Sequence, residues 1–258
     1  MSTPPSAALS SAAPASAGAP APSRTPAPAC TPASAGTSAP GTPAFAGASA
    51  ADYAPAPQDF VRTTLVLDEQ VVLRPWSRED LGTPTTLEGL VTAATDPQTA
   101  MWNPFPATDL AAAKKWIEYR ADGWANGNVA TFALEDNAGC PGAEDVAPGL
   151  LGALTVRWTD RTQGVAMIGY WLLPLARGRG LAARATTAAA DWAFRTAGVR
   201  RIGLAHAVEN SASCRVARRC GFTLEGVLRA SYRFGDGRYH DEHLHARLAT
   251  DPPAAAHD

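Results

Sequence analysis

Cysteine, net charge and long apolar runs are all scarce in this 258-residue sequence. The four cysteines (Cys30, Cys140, Cys214 and Cys220) form no Cys-x-x-Cys pair, so we expect reduced thiols in a cytoplasmic protein. The net charge of −2 lacks the basic excess typical of nucleic-acid-binding proteins, so we expect no nucleic-acid partner. No apolar run approaches the roughly 20 residues of a membrane-spanning helix, so we expect no membrane association.

The N-terminal segment is poor in charge and in large apolar side chains. Arg24 and Asp52 carry its charges, and Ala, Pro, Ser, Thr and Gly make up most of the remainder. Such a composition buries too little apolar surface to offset the entropy lost on folding, which predicts a disordered tail over 1–58. The segment also lacks a basic region followed by an apolar core, so we expect no signal peptide. A shift in composition places the folded domain at 59–251, with a short tail at 252–258.

One stretch, residues 165–197, organises the predicted domain. It begins with a predicted strand over 165–173 that is apolar on both faces, as a central, covered strand should be. Pro174 ends this strand, and an Arg/Gly turn follows at 176–182. Beyond the turn, mostly helical spacing of apolar residues predicts a long helix up to Ala197.

The Arg/Gly turn has the features of an anion site. Gly178 and Gly180 leave the backbone N–H groups uncovered where the helix begins. Such N–H groups have no partner inside the helix and lie at the positive end of its dipole, which suits a phosphate or pyrophosphate. Arg177 and Arg179 would add full positive charges to this site.

The whole domain is predicted to be a mixed sheet with helices on both faces. Its elements follow the order β-α-α-β-β-β-α-β-α-β-β, and about 190 residues are ample for one hydrophobic core. The predicted strands lie at 65–67 with 71–74, 128–135, 150–158, 165–173, 201–208, 222–227 with 231–234, and 240–248; the helices lie within 78–95 after Ser77, after Asp109, at 181–197 and at 209–219; a polar turn lies at 139–148.

Four motifs resemble the GCN5-related N-acetyltransferase (GNAT) superfamily, and in particular its ribosomal-protein-alanine N-acetyltransferase-like branch. The Arg/Gly turn is similar to that superfamily's Arg/Gln-x-x-Gly-x-Gly/Ala signature, and the segment before it is similar to the fourth strand. The motifs are Val72-Leu73-Arg74-Pro75, Ile168-Gly169-Tyr170-Trp171-Leu172, Arg177-Gly178-Arg179-Gly180-Leu181-Ala182, and Asn210-x-x-Ser213-x-x-Val216 with Cys220-Gly221-Phe222.

The resemblance implies the GNAT acyl-CoA acyltransferase fold, an α/β (mixed α+β) fold. Its central, mostly antiparallel sheet splays between the fourth and fifth strands. The implied activity is transfer of an acetyl group from acetyl-CoA, a co-substrate, to a primary amine. The pyrophosphate would bind the helix start, and the pantetheine arm would pair with the fourth strand, where one N–H would polarise the thioester carbonyl. The implied cofactor-binding residues are Tyr170, Trp171, Leu172, Arg177, Gly178, Arg179, Gly180, Leu181, Ala182 and Asn210.

The resemblance also implies catalytic roles for Asn210 and Ser213. Asn210 would contact the cofactor arm or an ordered water, and Ser213 would protonate the leaving thiolate. Relatives that use a tyrosine for this step carry it where this chain has Ala217. Taken alone, Ser213 is better explained as a helix-start residue that makes a local hydrogen bond, and Asn210 as a helix cap, a role compatible with contact to the cofactor. The general base stays open among a water relay, the backbone, Glu225, Asp241 and His240, because Met167 and Tyr232 stand where relatives often carry an acid.

Several functions stay open at this stage. The acceptor is either a protein α-amine, as on a ribosomal protein, or a small amine such as an antibiotic or polyamine. Two other possibilities are a non-catalytic acyl-CoA-binding regulatory module, which the missing acidic base favours, and nucleotide binding at the Arg/Gly turn. We expect a monomer or a homodimer. We expect no metal, because the family needs none and His240, His243 and His245 are better explained as surface or core residues.

Overall fold

The computed structural model of the protein describes residues 62–136 and 149–254. The predicted tail at 1–58 and the predicted polar turn at 139–148 lie outside the described residues. Of the predicted tail at 252–258, the described part, 252–254, is neither helix nor strand. No helix in the described ranges combines the length and the hydropathy that a bilayer span would need.

Apart from one additional short helix, the helices and strands of the described residues follow the predicted order. The strands are β1 (Leu65–Val66), β2 (Val71–Pro75), β3 (Val129–Asp136), β4 (Leu150–Asp160), β5 (Val165–Leu172), β6 (Arg201–Ala207), β7 (Thr223–Arg233) and β8 (Tyr239–Leu248). The α-helices are α1 (Pro84–Thr95), α2 (Pro97–Trp102), α3 (Leu110–Ala125), α4 (Leu181–Thr196) and α5 (Ser211–Arg219), and short 3₁₀ helices span Arg78–Gly82 and Pro174–Ala176.

The strands form one mixed sheet in the order β1-β2-β3-β4-β5-β6-β8-β7. Every neighbouring pair is antiparallel except β5 and β6, which run parallel. The short β1 forms a hairpin with β2, and the sequence analysis counts this pair as the first strand. The strands predicted as fourth and fifth are therefore β5 and β6. The predicted α/β fold with a mostly antiparallel sheet is therefore confirmed.

Strands β5 and β6 pair only at their beginnings and then diverge. The paired residues run from Val165 to Met167 on β5 and from Arg201 to Gly203 on β6. A Cβ on Gly203 would lie 2.5 Å from the Met167 sulfur, so a glycine permits the close approach at the point where the strands part. The predicted splay between these two strands is confirmed.

The covering of β5 differs from the sequence-based expectation, which was wrong on this point. Ala166, Ile168 and Trp171 are buried, but Gly169 is exposed and Tyr170 is half-buried. The reason is the splay, because the gap beside β5 opens part of this strand to a cleft.

Helices cover both faces of the sheet, as predicted. On one face, Trp192 of α4 packs edge-on against Phe132 of β3, with ring centroids 5.3 Å apart. On the other face, α1 and α3 surround a second core in which Trp76 and Trp116 lie 5.2 Å apart. Phe132 and Ala133 are neighbours on β3 but belong to different cores, because successive strand side chains point to opposite faces.

A buried ion-pair network joins β2 to β3 and to the segment that follows β2. Arg74 donates hydrogen bonds to Glu135 at 2.6 and 2.9 Å and to Asp80 at 2.7 and 3.2 Å. Asp80 also accepts from the N–H of Ser77 at 2.8 Å, so the predicted helix start is present. The turn that follows, Arg78–Gly82, is a 3₁₀ helix. Both carboxylates are almost fully buried, so they depend on the arginine for a counter-charge.

Two further elements differ from the sequence analysis. It does not predict α2, which begins at Pro97 with Asp96 as its cap. The segments predicted as two strand pieces, 222–227 and 231–234, form the single strand β7 instead. A register shift against β8 separates the two halves of β7, and Ala230 within it has a φ of +46°.

Candidate active site

A cleft of about 1000 Å³ opens beside β5 where this strand parts from β6. Its walls come from β5, the Arg/Gly turn, the start of α4, α5 and the segment between α2 and α3. Every residue that the sequence analysis assigns to cofactor binding or catalysis lines the cleft except Arg179. The lining members are Tyr170, Trp171, Leu172, Arg177, Gly178, Gly180, Leu181, Ala182, Asn210 and Ser213.

The Arg/Gly turn leaves its backbone open. Gly178 and Gly180 have φ angles of +76° and +74°, which L side chains rarely adopt. A Cβ at either position would meet nothing within 4 Å, so the side of the turn that a side chain would occupy is free. Going along α4, the first N–H group that donates to a backbone carbonyl of the helix start is that of Ala183, which lies 3.1 Å from the Gly180 oxygen. The N–H groups of Leu181 and Ala182 therefore have no partner inside the helix, which is what an anion site requires.

Arg177 differs from our expectation because its guanidinium group is already paired. It forms an ion pair with Asp96, the cap of α2, and donates to the Thr99 hydroxyl at 3.1 Å and to the Leu172 carbonyl at 2.9 Å. The hydrogen bond from Arg177 holds the pKa of Asp96 below its usual range, so this carboxylate stays charged. The positive charge that we expected Arg177 to offer a pyrophosphate is thus balanced within the protein. Arg179 is exposed and has no ion-pair partner within 62–136 or 149–254.

The backbone of β5 alternates between β4 and the cleft. The N–H of Leu173 donates to Leu151 on β4 at 2.9 Å, so every second residue back along the strand also faces β4. Tyr170 and Leu172 therefore direct their backbone groups to the cleft. The Tyr170 carbonyl accepts from the side-chain amide of Asn103 at 2.9 Å, and the Leu172 carbonyl accepts from the arginine described above. The N–H groups of these two residues are the donors that this edge offers to a ligand.

Trp171 contributes a wall to the cleft. Its backbone faces β4, so the structure does not support the backbone contact with pantetheine that we expected for this residue. Its side chain is buried and stacks on Phe105 with ring centroids 5.2 Å apart.

Two hydroxyl groups meet between β5 and α5. The Tyr170 hydroxyl lies 3.0 Å from the Ser213 hydroxyl. Burial raises the pKa of Tyr170 to about 12, so the phenol keeps its proton at neutral pH. Asn210 caps α5, because its Oδ1 accepts from the Ser213 N–H at 3.1 Å. Sequence analysis missed the Tyr170 hydroxyl, since the two hydroxyl-bearing residues are 43 positions apart and carry no local signal of contact.

Comparisons with known proteins agree on a family. The profile described as acetyltransferase (GNAT) domain matches residues 70–223, which is more than half of the chain. The chain belongs to this family. The ribosomal-protein-serine acetyltransferase of Escherichia coli (strain K12) is 32% identical over 99 residues, which are 38% of this chain and 55% of that protein. The match thus spans about half the length of this curated relative.

Solved structures share the GNAT fold. RimL, a ribosomal L7/L12 α-N-protein acetyltransferase in complex with coenzyme A, has a TM-score of 0.62 at 21% identity, covering 72% of this chain and 98% of that one. Mycobacterium smegmatis RimJ in complex with CoA-disulfide has a TM-score of 0.61 at 23% identity, covering 75% and 92%. These likenesses establish the fold. The family match and the 32% identity to the ribosomal-protein-serine acetyltransferase confirm the predicted resemblance to the ribosomal-protein branch of GNAT acetyltransferases.

In this GNAT cleft, two basic side chains come from α3 and β4. Arg120 lies over the rings of Trp116 and Tyr119, at 4.9 and 5.4 Å from their centroids. Burial lowers the pKa of Arg120, and the charge of Arg157 on β4 lowers it further. The Nε of Arg120 is buried without a hydrogen-bond partner among the described residues. The described residues supply no ion-pair partner to either arginine, so the two together offer a place for an anionic group.

None of the side chains that we considered as the general base lines the cleft. Glu225 is ion-paired with an arginine of β6, and Asp241 accepts from a backbone N–H of β7 at 2.8 Å. His240 lies between Asp236 and Glu209, at 3.0 and 3.2 Å. The two carboxylates raise the pKa of His240, and Asp236 has the larger effect. The raised pKa favours the protonated imidazole, which is a poor base.

Glu242 is the carboxylate that the sequence analysis missed. Among the described residues that line the cleft, it is the sole acidic one, and it accepts from the Ser231 hydroxyl at 2.7 Å. Met167 and Tyr232, which stand where we looked for an acid, line the same cleft. A signal was available in the alternation of β8, because Asp241 and Glu242 are neighbours and must face opposite sides of the sheet.

Proposed function

We propose that this chain is an N-acetyltransferase that transfers an acetyl group from acetyl-CoA to a primary amine. The observation that carries the proposal is the meeting of the glycine turn, the open edge of β5 and Ser213 in one cleft. Membership of the GNAT family supports the reaction. Two structurally similar proteins were solved with coenzyme A or CoA-disulfide, which supports the donor.

In this proposal the donor binds along two stretches of backbone. Its pyrophosphate accepts from the N–H groups between Gly178 and Ala182, at the positive end of α4, and Arg179 adds charge. Its pantetheine arm extends the open edge of β5 and accepts from the N–H groups of Tyr170 and Leu172. One of these donors also polarises the thioester carbonyl, as an oxyanion-hole donor does.

Groups that line the cleft can donate and accept the protons that move during the reaction. The neutral amine nitrogen attacks the thioester carbonyl carbon, so that a C–N bond forms and the C–S bond breaks. Ser213 passes a proton to the departing thiolate. It regains a proton from the Tyr170 hydroxyl, which lies 3.0 Å away, and solvent then reprotonates Tyr170. The proton that the amine loses goes to Glu242, directly or through water. Much of the rate comes from holding the amine close to the carbonyl.

We propose as acceptor a protein α-amine with negative charge nearby, as at the N-terminus of an acidic peptide. Arg120 and Arg157 favour such a charge, whereas Glu242 is the one acid among the described lining residues. A polyamine or a cationic antibiotic, the second candidate, would meet like charges at the two arginines. The names of the relatives, both ribosomal-protein acetyltransferases, support a ribosomal protein as the source of the amine.

Thiol release from acetyl-CoA over a panel of acceptors tests this function. The panel contains N-terminal peptides with acidic residues after the first position, the same peptides with lysines there, a polyamine and an aminoglycoside. We expect turnover on the peptides, with kcat/KM about tenfold higher for the acidic series, because one attractive and one repulsive charge contact differ by about 1.4 kcal/mol. Arg120→Gln should remove most of this preference. Lys114→Gln, at an exposed position of the same helix, should keep it.

Three outcomes would each overturn a different part of the proposal. Coenzyme A binding without turnover on any acceptor would favour the regulatory module over the enzyme. Tighter binding of ATP than of coenzyme A would favour the nucleotide site. Turnover confined to the polyamine or the aminoglycoside would leave the acetyltransferase in place and overturn the proposed acceptor.

Two predictions from the sequence belong to the same proposal. They are a cytoplasmic location and a disordered tail at 1–58 ahead of a domain at 59–251. Limited proteolysis of the full chain should remove the tail first and leave a fragment that still binds coenzyme A. Protection of the tail from protease would contradict its disorder.

A further inference from the structure

Four side chains of metal-binding types come together beside α5. His206 lies on β6 directly opposite His243 of β8, His245 follows on β8, and Cys214 lies on α5. One ligand atom from each side chain lies within 4.8 Å of the other three. His206 and His245 are almost fully buried, and the other two are half-buried. From the sequence alone we expect no metal at His240, His243 and His245, and that interpretation includes neither His206 nor Cys214.

The hydrogen bonds of two of these histidines leave two lone pairs facing each other. Nδ1 of His206 lies 2.8 Å from the Ala207 carbonyl oxygen, and Nδ1 of His245 lies 3.2 Å from the Phe222 carbonyl oxygen. A carbonyl oxygen only accepts, so each Nδ1 carries the ring proton. In a neutral imidazole the Nε2 atom then carries a lone pair. The two Nε2 atoms are 3.3 Å apart, and two acceptors at this distance repel unless a cation lies between them.

Arg218 lies close enough to act electrostatically on both His206 and His245. Nδ1 of His243 is buried and has no hydrogen-bond partner among the described residues. The cluster thus gathers ring nitrogens that no described group satisfies.

The spacing fits a tetrahedral metal ion. With Zn–N bonds of about 2.05 Å and a Zn–S bond of about 2.3 Å, a tetrahedron places two nitrogens about 3.3 Å apart and a nitrogen and a sulfur about 3.6 Å apart. The 3.3 Å between the Nε2 atoms of His206 and His245 matches the nitrogen–nitrogen edge. The other ligand atoms lie within 4.8 Å of one another, so they need to close in by at most about 1.5 Å, which side-chain rotation can supply.

We propose that His206, Cys214, His243 and His245 bind one Zn²⁺ ion in a closed, tetrahedral site. The carbonyl oxygens that hold Nδ1 of His206 and His245 orient the two rings, as outer partners of zinc-bound histidines do. Binding releases the thiol proton of Cys214 and leaves a site charge of +1. Nitrogen and sulfur ligands favour Zn²⁺ over Mg²⁺ and Ca²⁺. Because Arg218 lies nearby and the site has one thiolate, we expect weaker binding than in sites with several thiolates.

The ion would fasten α5 to the two strands that lie beside it. Cys214 directly follows Ser213, so a Zn–S bond fixes the first turn of the helix that carries this serine. With four protein ligands the ion has no position open to water or substrate, so its role is structural. It would therefore act on the proposed reaction by holding Ser213 in place.

Metal titration of the full chain tests the proposal. A Cys30→Ser, Cys140→Ser background removes the two thiols that lie outside the described residues. We expect one Zn²⁺ per chain and a rise in Tm of about 5–10 °C when free Zn²⁺ is held at 100 times its Kd. With Co²⁺ as the probe, we expect the visible bands of a tetrahedral site and a thiolate-to-Co²⁺ charge-transfer band. This spectrum decides the matter even where a variant fails to fold.

Substitutions separate this site from other metal binding. Cys214→Ser should abolish the charge-transfer band and weaken Zn²⁺ binding at least tenfold, and His243→Ala should also weaken it. His240→Gln, on the same strand but outside the cluster, should change neither. Absence of Zn²⁺ binding would overturn the proposal, as would Zn²⁺ binding that Cys214→Ser leaves unchanged. A loss of binding in His240→Gln as large as that in Cys214→Ser would place the metal elsewhere and overturn it too.

Discussion

Replacing Gly180 with alanine tests the pyrophosphate site through a single methyl group. Gly180 precedes α4 with a φ of +74°, and a Cβ at this position would meet nothing within 4 Å. The methyl group therefore fits the free protein. It lies on the open side of the turn, where the pyrophosphate would bind. We expect Gly180→Ala to fold and to bind coenzyme A more weakly.

Two separate energies set the size of these effects. The left-handed backbone conformation costs an alanine about 1–2 kcal/mol, which lowers Tm by about 2–8 °C in a domain of this size. Loss of one hydrogen bond to the charged pyrophosphate costs about 1.5–3 kcal/mol, which raises the Kd of coenzyme A about 10- to 150-fold. Gly180→Glu adds charge repulsion, so its binding should fall below detection.

A second glycine separates strain from binding. Gly237 has a φ of +75°, and a Cβ there would approach only the flexible end of Arg233, at 3.4 Å. Gly237→Ala should therefore lose a similar amount of stability without losing affinity for coenzyme A. Thermal unfolding and isothermal titration calorimetry measure the two effects. Unchanged affinity in Gly180→Ala, or an equal loss of affinity in Gly237→Ala, would refute the reasoning.

Three further substitutions test the site and its frame. Ser213→Ala should lower kcat about 100-fold or more and leave the Kd of coenzyme A nearly unchanged, as measured by thiol release and calorimetry. Arg74→Met should cost about 3–5 kcal/mol of unfolding free energy in urea, because it strands two buried carboxylates, whereas Arg78→Met at an exposed ion pair should cost less than about 1 kcal/mol. Arg177 lowers the pKa of Asp96, so this carboxylate stabilises the fold above about pH 4 and loses its contribution as the pH falls. The unfolding free energies of Asp96→Asn and of the unsubstituted protein should therefore converge in acid.

Each of these expectations has a contrary result. An unchanged kcat in Ser213→Ala would remove the serine from proton transfer. Equal losses of stability in Arg74→Met and Arg78→Met would mean that burial of the carboxylates does not matter. A gap between Asp96→Asn and the unsubstituted protein that stays constant from pH 7 to about pH 2 would contradict the lowered pKa.

The order of the elements, apart from α2, was predictable because it depends on local patterns. The apolar spacing of α4 and the glycine after it, Gly198 with a φ of +66°, mark the helix and its end. The capping interaction between Ser77 and Asp80 is equally local. The splay of the sheet was predicted through the family resemblance, since no spacing of residues along β5 indicates it.

Other parts of the site depend on contacts between distant segments. Arg177 pairs with Asp96, which lies 81 positions earlier and caps a helix that the sequence analysis does not predict. An isolated arginine beside two glycines therefore looked available for a phosphate. The Glu242 carboxylate and the histidine cluster were hidden for a similar reason, because the side that each faces depends on how β8 pairs with its neighbours.

The central claim is that backbone N–H groups at the start of α4 bind the diphosphate of coenzyme A and so direct a thioester to an amine. Isothermal titration calorimetry of the full chain with coenzyme A, run beside ATP, measures this binding most directly. We expect one coenzyme A per chain and a clear preference for it over ATP. No detectable binding of coenzyme A, or tighter binding of ATP, would contradict it.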